Sequence, residues 1–123
     1  MVKLDHLAIK VRNYVESRNW YIDCFGFKLE FETSERKTAA LLDANGLTLF
    51  LEEARGVLQE PSCTLFLQVD DVDAKHRELR ARGVLFDKAP QRLFWGYGAE
   101  LLDPSGYRIG LWDEASMRDK GGH

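Results

Sequence analysis

The chain has 123 residues, 45% hydrophobic and 30% charged, with 17 basic against 20 acidic side chains and a net charge of −3. That length buries one ordinary core, and the balance excludes a disordered chain. With no basic run and no apolar stretch near the ~20 residues that span a bilayer, nucleic acid and membranes are disfavoured as partners.

The opening residues, MVKLDHLAIK, pass straight into alternation without the apolar segment of a signal peptide, so a cytoplasmic location is expected. Leu4–Val11 has the period of a half-buried strand, with Leu7, Ile9 and Val11 on one face and His6 and Ala8 on the other. Asn13 reads as an N-cap with Glu16 three residues on, and Gly26 as the stop of a helix turning Trp20, Tyr21 and Cys24 inward. Strands Phe27–Thr33 and Thr38–Asp43 flank the turn SERK, and Leu47–Glu52 follows an Asn-Gly turn. The order then recurs. Strand Thr64–Val69 leads to the caps Asp70 and Asp71, and a helix on Val72 and Leu79 stops at Gly83. Strands are expected near Leu85–Phe86, at Tyr97–Leu102 and at Tyr107–Trp112, with RLFWGYG (92–98) as a mobile loop. From Met117 onward the chain reads as a frayed end.

The recurrence is also literal. LLDANG at 41–46 is echoed by LLDPSG at 101–106, and Leu7, Ile9 and Val11 match Leu65, Leu67 and Val69. Such self-similarity marks a duplicated module. Module one covers about 2–54, a linker about 55–61, module two about 62–115 and a tail 116–123. Each module is βαβββ, and residues 4–53 should superpose on 62–113 with His6 on Thr64 and Phe50 on Gly110. Cys24 and Cys63 lack CxxC spacing and read as free thiols of a reducing compartment.

Two such modules resemble the vicinal oxygen chelate superfamily of glyoxalase I, extradiol dioxygenases and the fosfomycin and bleomycin resistance proteins. The residues that carry the resemblance are DHLAIKV (5–11), YIDCFGF (21–27), QVDDVDA (68–74), ARGV (81–84) and LLDPSGYRIGLW (101–112). It implies an α+β fold in which paired modules cup a U-shaped mixed sheet around a cavity, commonly in a homodimer. The metal enzymes of the family place ligands on the first and last strands of each module, which here fall on His6, Phe50, Thr64 and Gly110. Phenylalanine and glycine side chains do not coordinate, and threonine is a poor donor beside imidazole or carboxylate. A catalytic site needs about three protein ligands, so no metal is expected at the inherited position. A relocated Zn, Ni, Fe or Mn site would draw on His6, Glu52 and Glu100.

Alternation puts His6, Phe50, Phe66, Gln68, Arg108 and Trp112 on the cavity face, and Trp95, Tyr97 and Glu100 are expected to join them there. An aromatic wall with a few polar groups suits a small-molecule ligand. Trp95, Tyr97 and Trp112 would stack a planar or cationic compound, and Arg108 would clamp a carboxylate. Loss of Trp95 from a loop should leave the melting temperature nearly unchanged. Two functions follow: sequestration of an aromatic or cationic molecule, as in bleomycin resistance, or a glyoxalase- or dioxygenase-type enzyme. The enzyme would use a relocated metal, or His6 as a base beside Arg108. No GxSxG, P-loop or dinucleotide fingerprint is present. His76 reads as a surface residue of its helix.

Overall fold

The computed structural model describes residues 1–122. The chain divides into two compact units, Met1–Glu60 and Pro61–His123. The first comprises β1 (His6–Val11), α1 (Tyr14–Phe25), β2 (Lys28–Thr33), β3 (Thr38–Leu42) and β4 (Thr48–Glu53). The second comprises β5 (Thr64–Gln68), α2 (Val72–Ala81), β6 (Phe86–Leu93), β7 (Gly96–Leu102), β8 (Arg108–Trp112) and α3 (Glu114–Lys120). No helix among the described residues is long and apolar enough to cross a membrane.

Each unit is a four-stranded mixed sheet with the same topology, β1-β4-β3-β2 in one and β5-β8-β7-β6 in the other. The first strand pairs parallel to the last, and the register repeats: His6 faces Thr48 and Ala8 faces Phe50, as Thr64 faces Arg108 and Phe66 faces Gly110. This is the duplication the sequence announces, rung for rung.

Strand alternation sorts apolar residues to the helix side. In unit one, Ile9, Val11, Ala39, Leu41, Leu49 and Leu51 are buried there with Tyr21 and Cys24 of α1. In unit two, Ala99, Leu101, Ile109 and Leu111 are buried with Val72 and Leu79 of α2. Removing such a side chain as far as alanine costs ~2–5 kcal/mol, so these faces fix strand orientation. Helix ends follow their caps. The Asn13 side chain accepts the Glu16 N–H at 2.9 Å, and Gly26 closes α1 at φ 70°, a left-handed conformation open to glycine. Asp71 caps α2 by accepting the Ala74 N–H.

Two expectations change. The segment read as a frayed end carries α3, capped by Asp113, whose carboxylate accepts the Ser116 N–H. Seven residues are too short to show a periodic apolar face, which is why the sequence concealed it; His123 lies outside the described residues. The strand placed near Leu85–Phe86 is eight residues long and reaches Leu93. Register shifts at Phe86/Lys88 and Lys88/Gln91 break its alternation, so the period-two signal fades although the pairing persists.

Candidate functional site: an aromatic shelf on module two

Strands β6 and β7 meet in a tight hairpin with only Phe94 and Trp95 outside the ladder, Leu93 pairing with Gly96. The mobile loop expected over 92–98 is therefore absent. Phe94 is 96% exposed at the tip, whereas Trp95 folds back across the face of the sheet opposite the helices. Two glycines make room for it. A Cβ at Gly98 would lie 2.3 Å from the Trp95 ring and 2.1 Å from the Leu111 carbonyl oxygen. A Cβ at Gly110 would lie 2.7 Å from Phe66 and 3.5 Å from Trp95. Phe66 meets Trp95 edge-on, with ring centroids 5.1 Å apart.

The rung below this pair runs Phe66, Gly110, Glu100, Lys88 across the four strands. Glu100 is only 6% exposed, yet both of its oxygens are used. Oε2 accepts the Trp95 indole N–H at 2.9 Å, and Oε1 accepts from Arg108 at 3.0 Å. The same Arg108 nitrogen donates to Asp87 at 2.8 Å. Asp87 is the extra residue of the β6 bulge, which turns it toward Arg108. The hydrogen bond from Arg108 holds the Asp87 carboxyl below its ordinary range, and the bond to Asp87 raises Arg108. Trp112 shares this face through β8 alternation, two residues beyond Gly110.

Tyr97 does not join the group. Its hydroxyl donates to Asp73 of α2 at 3.0 Å, and Lys120 of α3 lies 5.0 Å from its ring. Its ring is thus held on the helix side of β7, because odd and even positions of a strand face opposite ways. Burial first, then the bond to Asp73, raises the Tyr97 pKa. His76 is also more enclosed than expected. It packs edge-on against Phe86 at 4.6 Å, and its Nε2 is buried without a hydrogen-bond partner. Burial, then Arg80, lowers its pKa.

Module one presents a plainer face. The rung Ala8, Phe50, Ala40, Phe31 crosses its sheet, with the two phenylalanine rings 6.0 Å apart. Phe31 was not legible in the sequence, since the register shift between Leu29 and Phe31 obscures which way KLEFET points. His6 lies beside Phe50 at 6.3 Å and pairs with Asp5 through Nδ1 at 3.0 Å. Glu52 is held by Lys10 across the β1–β4 ladder. His6 and Arg108 belong to different units.

A family model described as the Glyoxalase/Bleomycin resistance protein/Dioxygenase superfamily matches residues 3–111. The chain belongs to this superfamily. Its two βαβββ modules and their repeated register are the superfamily's fold. Among solved structures it resembles TnmS3, an antibiotic-binding protein from a Streptomyces species, at 25% identity and TM-score 0.76, over 92% of this chain and 96% of that one. A superfamily member from Sphaerobacter thermophilus matches at 20% identity and TM-score 0.77, over 93% and 98%. The fosfomycin resistance protein FosX of Listeria monocytogenes matches at 18% and 0.73, over 90% of each chain. The last two likenesses concern the fold. No curated protein matches the sequence.

The resemblance leads us to expect ligand positions at His6, Phe50, Thr64 and Gly110, and a Cβ at Gly110 would meet Phe66 at 2.7 Å and Trp95 at 3.5 Å. Among the described residues, no three His, Cys, Asp or Glu side chains gather as a metal-binding group.

Proposed function

We propose that this superfamily member binds a small planar aromatic or cationic molecule on the open face of module two and holds it without converting it. The observation that carries this reading is the fixed Trp95 ring, laid over Gly98 and Gly110 and hydrogen-bonded to Glu100. A ring set in place before the ligand arrives loses little entropy on binding, and offers a flat, polarisable surface for stacking. The antibiotic-binding function of TnmS3 supports the same reading. A metal-independent role is supported by the residues at the ligand positions, by the pairing of Glu52 with Lys10 and by the double engagement of Glu100. We expect the protein to act as a homodimer, as its superfamily's modules commonly pair.

Fluorescence titration tests the proposal. Planar aromatic cations should quench tryptophan emission saturably, and the recovered compound should be chemically unchanged. Trp112→Ala should weaken binding by ~1–2 kcal/mol, the scale of one lost aromatic or cation–π contact. Absence of quenching by any planar compound would remove the reading. Conversion of the compound, or stoichiometric metal in protein purified without chelators, would favour the enzyme instead.

A further inference from the structure

Glu100 is a buried carboxylate placed directly under an aromatic shelf, and its position has a chemical consequence. Its two oxygens serve different ends: Oε2 takes the indole N–H of Trp95, while Oε1 takes the guanidinium of Arg108. Arg108 in turn sits between Glu100 at 3.0 Å and Asp87 at 2.8 Å, with both contacts made through one nitrogen. The neighbouring cation, Lys88, stands 4.0 Å from Glu100, farther than Arg108, and is about half exposed, as Asp87 is. At the edge of the shelf, two carboxylates flank the Arg108 guanidinium in direct hydrogen bonds.

We infer that Glu100 sets the ligand selectivity of the shelf, positioning Trp95 flat against the sheet while cancelling Arg108, so that planar cations are accepted and planar carboxylates refused. The inference rests on the binding function proposed above and deepens it. An arginine at the rim of an aromatic cleft ordinarily recruits carboxylates through its two-pronged donor set. Here that recruitment is pre-empted from within the protein. An incoming carboxylate would meet Asp87 and Glu100 along with Arg108, and like charges at such range repel. A planar cation gains from the same two carboxylates, and from the face of Trp95. Glu100 itself lies beneath the rings and acts through Trp95 and Arg108, so it is a positioning residue.

Two probes of the same three-ring shape and opposite charge provide the test: an aminoacridine cation and an anthracene carboxylate. The parent should bind the cation more tightly by about tenfold or more. Glu100→Gln keeps the size but removes one charge, and should shrink that preference about tenfold. It should also shift the Trp95 indole N–H resonance, a ligand-free signature of the bond's weakening as its acceptor loses its charge. A residue that only stabilised the fold would weaken both probes together and leave their ratio unmoved. Asp87→Asn, at an exposed position, should move the ratio the same way by a smaller factor, without disturbing the Trp95 resonance. If both probes bind and neither variant changes their ratio, the role of Glu100 is overturned and the binding function stands. Should Glu100→Gln fail to fold, an unchanged ratio in Asp87→Asn overturns it alone. If neither probe quenches the parent, the inference falls, and the binding function falls with it when no other planar compound quenches.

Discussion

Two positions show how single residues carry this architecture. Asp113 is buried at the junction of two helix starts, where it accepts the Val72 N–H at 2.7 Å and the Ser116 N–H at 2.6 Å. One carboxylate thus satisfies orphan donors of both α2 and α3. Burial alone would raise its pKa, but these N–H groups outweigh burial and hold it below its ordinary 3.8. A carboxyl with a depressed folded pKa stabilises the fold above its unfolded pKa, and the benefit fades as pH falls through the folded value. Asp113→Asn should therefore unfold more easily at neutral pH, by about 2 kcal/mol. Its denaturation midpoint should converge on the parent's as pH drops below about 4. Gly98 is the second case. Alanine there would press its Cβ to 2.1 Å from the Leu111 carbonyl oxygen, which backbone pairing holds in place. Urea denaturation of Gly98→Ala should show a loss of at least ~1–3 kcal/mol. Gly110→Ala meets the half-exposed Phe66 side chain instead of backbone, and should be milder.

At the scale of elements, the β6–β7 hairpin is gripped from both faces. On the open face Trp95 is bonded to Glu100, and on the helix side Met117 of α3 packs so closely that a Cβ at Gly96 would meet its Sδ at 2.2 Å. Tyr97 adds the bond to Asp73 on that same side. The two sides should separate in mutants. Tyr97→Phe should cost ~0.5–1.5 kcal/mol in denaturant unfolding, one ordinary hydrogen bond, while probe affinity stays within about twofold. Trp95→Ala should do both, weakening binding and destabilising by ~1–3 kcal/mol, because its ring packs on Phe66 and the glycines. A loop residue would have lowered only the first. The hairpin was misread because RLFWGYG looks like a glycine-flanked loop to any local rule, while it folds on itself with Arg92 pairing Tyr97 and Leu93 pairing Gly96, a ladder continued by Gln91 with Gly98 and Lys88 with Glu100.

For the whole molecule, the decisive question is whether a metal binds anywhere. A ligand that binds only the folded chain raises its melting temperature. Thermal melts with added Ni, Zn, Fe or Mn should coincide with those without. A rise of several degrees that vanishes in His6→Ala would assign a metal to the first strand and return the protein to enzymatic chemistry. The opposite faces of the two sheets make that outcome unexpected: module one offers a single imidazole beside phenylalanine, and module two offers rings and an ion-pair network.

The division between sequence and tertiary structure falls along interaction range. Local signals determined the duplicated βαβββ order, the caps Asn13 and Asp71, and the sidedness of β1, β4, β5 and β8, because caps and alternation act over four residues or fewer. What they left open was every feature decided across strands. The β6 bulge turned Asp87 onto Arg108, the α2 carboxylate engaged Tyr97 on the helix side of β7, and two glycines on neighbouring strands cleared a bed for Trp95. Each depends on a partner that pairing, rather than sequence proximity, brings within reach, and so only the folded sheet could choose it.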